Sequence, residues 1–171
     1  MSYDKILNEL GAESMSFEKK RLHNSLPDDI KISESLNKLL DKFNTAIVFS
    51  NGAKFKTPKK MPIGDKDGFV FLDVIYGLAP DSNNIYYKNE MYANQIRSDL
   101  YTFGESGGGD QFCINKNTEE VYYWYHEAKD DASSLFLIAP SFAHFFEHLI
   151  PDNDETNSKD DDGIVSAEFY F

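Results

Sequence analysis

The chain has 171 residues, of which 41% are hydrophobic and 15% aromatic, which suits one domain with a real core and excludes global disorder. Its 29 acidic residues outnumber 17 basic ones for a net charge of -12, a field that repels nucleic acid and anionic membranes and attracts a basic partner. The single cysteine, Cys113, excludes an intrachain disulfide framework and a multi-cysteine zinc site and fits a reducing compartment.

The first 20 residues carry charges throughout and no apolar run, so they do not read as a signal peptide. No stretch approaches the ~20 apolar residues that span a bilayer, and a soluble, cytoplasmic protein is expected. Residues 1–24 read as helical but weakly packed. Ile6, Leu7 and Leu10 share a face, Gly11 ends the first helix, and a second short helix follows from Ser16. Leu26–Asp29 (LPDD) is a break. From Ser33 to Asn44, Leu36, Leu39, Leu40 and Phe43 fall at i, i+3, i+4 and i+7, which makes an amphipathic helix capped by Ser33 or Ser35.

Ala46–Gly52 (AIVFSNG) reads as a buried strand closed by an Asn-Gly turn. The following KFKTPKKMP holds the only dense basic patch, Lys54, Lys56, Lys59 and Lys60, and reads as a solvated loop. Phe69–Leu78 is apolar on nearly both faces, the pattern of a central strand. Ile85–Tyr87 reads as a short strand and Lys88–Asp99 as a helix. Strands are expected at Leu100–Phe103, Gln111–Asn115, Val121–Glu127 and Phe136–Pro140. Ser141–Ile150 is then a helix capped by Ser141, with Phe142, Phe145, Phe146 and Leu149 on its buried face. Residues 151–163 form a polar loop with six acids and one lysine, and Gly163–Phe171 alternates weakly as a terminal strand. Neither an internal repeat nor a composition shift marks a second domain, so residues 1–171 read as one.

The stretch GESGGGDQFCINKNTEEVYYWYHE, Gly104–Glu127, carries the most information. A phosphate cradle needs a helix after its glycines, and a Lys with a Ser or Thr. Here Gly107, Gly108 and Gly109 are followed by Asp110 and a strand, so the glycines mark a chain reversal in an antiparallel meander. Asp110 is placed to accept hydrogen bonds from the turn amides. Strand alternation sets Val121, Tyr123 and Tyr125 on one face and Tyr122, Trp124 and His126 on the other, with Trp124 in the core and His126 bonded within the sheet. The same rule separates His126 from Glu127, which weakens an acid–base set of Asp110, His126 and Glu127. His144 and His148 lie four apart on one helix, but without an HExxH pattern or a neighbouring cysteine they read as a solvated edge. Cys113, mid-strand, lacks the setting of a nucleophile. Neither a metal nor a cofactor is implied.

The order of SLNKLLDKFN, NGAKF, a strand ending in YGL, GESGGGDQFCIN, VYYWYHE and APSFAHFFEHL resembles the SUKH superfamily, bacterial immunity proteins related to fungal cell-wall assembly regulators. The resemblance covers roughly residues 26 to 150. It rests on the glycines and Asp110 before a strand, on Trp124, His126 and Glu127 at a hairpin end, and on Ser141-Phe142 opening the last helix. Two residues depart from it: Tyr125 stands where the family has Asp, and His144 where an acid would complete a capping box with Ser141. The resemblance implies an α+β domain with a mostly antiparallel sheet, helices packed on one side, and a binding protein in place of an enzyme. Its expected partner is a cognate toxin with a basic surface, for instance a nuclease; a regulatory scaffold with endogenous partners is the alternative. Candidate contacts are Glu105 and Asp110 beside the glycine turn, Asp152, Asp154, Glu155, Asp160, Asp161 and Asp162 in the acidic loop, and the tyrosines Tyr86 and Tyr92.

Overall fold

A computed structural model of the chain describes residues 3–16 and 30–152. The break at Leu26–Asp29, the helix beyond Ser16 and the terminal strand Gly163–Phe171 lie outside the described residues.

The architecture is α+β. A seven-stranded, wholly antiparallel sheet has the order β1-β2-β5-β6-β7-β8-β9, and β3 and β4 form a separate two-stranded sheet. One side of the large sheet is a meander of β6 (Leu100–Glu105), β7 (Gln111–Asn115), β8 (Val121–Trp124) and β9 (Leu135–Ala139), the first three being the expected meander and β9 the edge. Beyond it lie β5 (Val74–Ile75), β2 (Ala46–Phe49) and, at the far edge, β1 (Ala12–Met15).

Three helices cover one face. In α1 (Asp4–Leu10), Leu7 and Leu10 are buried, and Gly11 ends the helix at φ 67°, a conformation that glycine adopts without the Cβ penalty. In α2 (Glu34–Phe43), Leu36, Leu39 and Leu40 are buried, and the Ser33 hydroxyl caps the helix by accepting from the Leu36 N–H. In α4 (Phe142–Glu147), Ser141 Oγ accepts from the His144 N–H, so the cap forms without an acid at position 144. Phe145 is the hub of the core. Its ring centroid lies 4.9 Å from Phe55, 5.7 Å from Phe103 and 5.3 Å from Phe112. The opposite face carries a smaller cluster of Ile96, Leu100, Cys113 and Trp124, with Tyr92 packed edge-on to Trp124 at 5.6 Å. The chain leaving α3 (Ile85–Met91) supplies Tyr92 and Ile96, so the helical layer of the main face is matched by a thinner cover on the other.

Several elements differ from the sequence reading, each for a local reason. After Gly11 the chain forms strand β1 and pairs Ala12–Met15 with β2. The basic segment contains a strand, β3 (Lys54–Lys56), because Phe55 is buried opposite Val70 of β4 (Phe69–Phe71). Residues 69–78 are two strands, not one. Leu72 N–H still donates to Ala53, which leads into the small sheet, whereas Asp73 N–H donates to Glu105 of the large one. The run is apolar on both faces because it crosses between sheets. Ile85–Tyr87 is the first turn of α3, since Asn84 Oδ1 accepts from the N–H groups of Tyr86 and Tyr87 at 2.9 and 3.0 Å. The helix expected over Lys88–Asp99 therefore starts earlier and stops at Met91. Strand β8 ends at Trp124, so Tyr125 and His126 do not continue the alternation, although Val121–Trp124 follows it. Trp124 is buried in a core cluster as expected, the smaller of the two.

Candidate functional site

The glycine turn, Gly107–Gly109, joins β6 to β7, and its backbone leaves the helical region at Gly108. Gly108 and Gly109 have φ of 86° and 102°, which accounts for glycine at both positions. The turn closes through Ser106 N–H to the Asp110 carbonyl at 2.9 Å and Gly109 N–H to the Ser106 carbonyl at 3.3 Å.

Two polar networks brace this turn. Asp110 holds it to the end of β8. Its carboxylate accepts from Tyr123 Oη at 2.7 Å and from the His126 N–H at 3.1 Å, and His126 Nδ1 lies 2.5 Å from Oδ1. The expectation that Asp110 would accept from turn amides is corrected: the Ser106 and Gly109 amides find backbone partners, and the side chain reaches across the hairpin. His126 likewise lies past the strand, its ring packed over Gly109, where an added Cβ would stand 3.7 Å from Cε1. Burial pushes the Tyr123 hydroxyl above its ordinary range, with Asp110 beside it adding to the shift.

The second network is centred on Gln111, which is fully buried. Its Oε1 accepts from Tyr76 Oη at 2.6 Å and Thr102 Oγ1 at 2.7 Å, while Nε2 donates to the Gly109 carbonyl at 3.0 Å. Burial raises the Tyr76 hydroxyl far above its usual range, so it is a constant donor. Tyr76 Oη also lies 3.1 Å from Glu105 Oε1, and Lys88 Nζ stands 3.5 Å from the same oxygen. Asn89 closes the register shift in β6: it accepts from Thr102 N–H at 2.8 Å and donates to the Thr102 carbonyl at 2.9 Å. Both networks rigidify the turn, because buried polar groups left without partners are costly.

Among the residues expected at a partner surface, the structure brings Glu105, Asp110 and Tyr92 to this turn, with Tyr92 Oη 3.4 Å from Gln111 Nε2. Asp110 is buried and its oxygens are engaged within the chain. Tyr86 packs against the main core from α3, and burial raises its hydroxyl as it does that of Tyr92. Asp152 lies elsewhere, beside β3, 3.5 Å from Lys54. Asp154, Glu155, Asp160, Asp161 and Asp162 fall outside the described residues. Glu127 lines a separate apolar groove with Pro62, Ile63 and Phe136 and does not join Asp110 and His126 in it. The imidazoles of His144 and His148 stack at 4.1 Å, and His148 Nδ1 lies 2.7 Å from the His144 carbonyl. Among the described residues no three His, Cys, Asp or Glu side chains are grouped to hold a metal, and no helix is long and apolar enough to cross a membrane. Cys113 is fully buried, and burial pushes its thiol up, away from nucleophilic use.

The sequence reading missed Gln111, Tyr76 and Asn89. Gln111 lies in β7, Asn89 in α3 and Tyr76 just past β5, all common residues, and only the fold aims them at one turn.

The chain is similar to a protein of Bacillus subtilis (strain 168) described as SPbeta prophage-derived uncharacterized protein YokK, 29% identical over 150 residues that cover 85% of this chain and 77% of that one. No solved structure matches it. Residues 19–148 match the SMI1 / KNR4 family (SUKH-1), a span that holds the helix α2, the glycine turn with both its braces, and the Ser141-Phe142 opening of α4. The chain therefore belongs to the SMI1/KNR4 family of the SUKH-1 type.

Proposed function

We propose that the protein is an immunity-type binding protein that neutralises a cognate toxin by covering it. The observation that carries this reading is a rigid, doubly braced turn presented by a family member whose net charge is -12. A toxin acting on nucleic acid carries a basic groove for phosphates. A strongly acidic partner can occupy such a groove and raise the association rate ~10- to 1,000-fold over a neutral one.

Contacts are assigned to Glu105 at the braced turn, to Tyr92 beside it, to Tyr86 on α3, and to the acids Asp152, Asp154, Glu155, Asp160, Asp161 and Asp162. Asp110 contributes by holding the turn, since its carboxylate is already engaged. The acid–base set is incomplete, since Glu127 lines a separate groove and does not join Asp110 and His126.

The test uses the product of the neighbouring gene as partner. A tight complex whose association slows with salt is the expected result. Changing Asp160, Asp161 and Asp162 together to Asn should slow association at low salt and leave dissociation nearly unchanged. An unaltered on-rate removes the acidic run from the interface. The absence of any complex with that product shifts the reading to a regulatory scaffold.

A further inference from the structure

Strand β9 ends the large sheet, and among the described residues no strand lies on its other side. Such an edge presents unpaired backbone groups and is a template for an added strand. This one is also apolar. Leu137 is 50% exposed, the highest value among the large exposed hydrophobic side chains. A groove of about 600 Å³ runs between β9 and the segment Pro58–Pro62. A second, of about 440 Å³, continues it, with Pro62 and Phe136 lining both. The five residues of β9 span about 17 Å as a strand, so the joined grooves follow an extended chain. The wall opposite β9 is preset. Thr57 Oγ1 lies 2.7 Å from the Lys59 carbonyl and 3.1 Å from that of Gly68, Met61 is buried in the main core, and Pro58 and Pro62 fix their own φ. A preset wall spares a ligand part of the ordering cost of binding.

Charge narrows what fits. Of the lysines in the basic segment, Lys54 stands 3.5 Å from Asp152, and Lys56 lies 5.4 Å from the centre of the Phe69 ring. Lys59 and Lys60 are exposed on the groove wall, and neither has an ion-pair partner among the described residues. Glu120 is the single acid lining the groove beside them. The rest of a chain at -12 repels a carboxylate, whereas this wall draws one in.

We propose that the β9 edge is a docking site for an extended segment of a partner protein, apolar at alternate positions and acidic at the end that meets Lys59 and Lys60. Backbone pairing with β9 supplies affinity, and the alternating apolar side chains fill the groove and set the register. The two lysines fix the orientation. The residues of this site are not those of the braced turn, and the proposal does not rest on the toxin reading.

The experiment titrates the full chain with a capped peptide, Glu-Glu-Val-Thr-Val-Thr-Val, and reads backbone amide shifts and hydrogen exchange. The amides of Phe112–Ile114 are the folded-core control. The expected result is saturable shifts at Leu135–Ala139 and Lys59–Met61, with exchange along β9 slowed about tenfold and the core unchanged. The same peptide headed by Lys-Lys should bind about tenfold more weakly. Lys59→Glu/Lys60→Glu should reverse that preference, and both side chains are exposed, so the fold is kept. Leu137→Asp, also at an exposed position, should abolish binding of either peptide. No shift at about 1 mM peptide overturns the proposal. So does equal binding of the two heads, or β9 protection that grows with protein concentration without peptide, which would place a second copy on the edge. None of these readouts involves the toxin, so either reading can fail alone.

Discussion

Replacing Asp110 by alanine tests whether the glycine turn is held by the carboxylate. The side chain is 9% exposed, and the Tyr123 hydroxyl, the His126 N–H and the His126 ring lose their partner when it goes. The Tyr123 hydroxyl belongs to a residue 4% exposed, so stranding it costs about 1–3 kcal/mol. The His126 N–H and ring are only part-buried, and water recovers some of their loss, which places them together at about 1 kcal/mol or less. The sum is about 1–4 kcal/mol. Urea denaturation would show it as a midpoint lowered by about 0.5–2 M for a slope near 2 kcal/mol per molar. Tyr123→Phe alone removes a donor but leaves Asp110 its bond to the His126 N–H, and should cost about 1 kcal/mol. Because the stranded hydroxyl is the main penalty, adding Tyr123→Phe to Asp110→Ala should recover part of the loss, with a coupling of about 1–2 kcal/mol in the double-mutant cycle. An Asp110→Ala protein within 0.5 kcal/mol of wild type, within the ordinary range for surface substitutions, or strictly additive single variants would refute the bracing role.

Gly77→Ala should abolish soluble expression or cost more than about 3 kcal/mol, because the new Cβ would overlap the Thr45 carbonyl group and the Ala46 nitrogen, both backbone. Gly108→Ala meets open space and should lose only about 1–2 kcal/mol from its positive φ, as compared by thermal melts of the two variants. Phe145→Ala empties the hub of the aromatic core and should cost about 3–5 kcal/mol, read by denaturant titration. The Asp99 carboxyl is held below its usual range by the Arg97 guanidinium, which meets it in a two-point pair. With the folded pKa below the unfolded one, the contribution is present above the unfolded range near 3.9 and lost as pH falls through the folded value. Asp99→Asn should therefore cost under about 1 kcal/mol at pH 7, the pair being partly exposed, and the gap to wild type should close on acidification below about pH 4.

Periodicity located most of the framework. The heptad-like spacing of Leu36, Leu39, Leu40 and Phe43 and the aromatic face of α4 are local patterns with one physical solution, and both faces are buried as spaced. The glycine turn was legible for the same reason, since consecutive glycines before a strand have few other uses. What failed was information carried between elements. Phe69–Leu78 looks like one strand because its apolar content reports burial and not the sheet that does the burying. Ile85–Tyr87 has strand-like residues, and the cap at Asn84 overrides their propensity. At the site, Asp110 was found by its place after the glycines, but its partner Tyr123 lies thirteen residues away and is set by hairpin register. Gln111 and Asn89 carried no signal at all, because a buried amide is identified only by what surrounds it.

The strand order of the large sheet runs with the chain apart from the excursion through β3 and β4. A nascent chain can therefore pair each new strand with the one just synthesised, which keeps loop closure short. The core is completed in another order. Phe103 and Phe112 are laid down early, yet the ring that packs against both, Phe145, belongs to the last described helix. Until the ribosome has released α4, α1 and α2 cover only part of the sheet's main face, and Phe103 and Phe112 lack the ring that packs on both. A message truncated upstream of Phe142 would thus yield a nearly complete sheet that is sticky, and quality control would meet it as a substrate for chaperones or proteases.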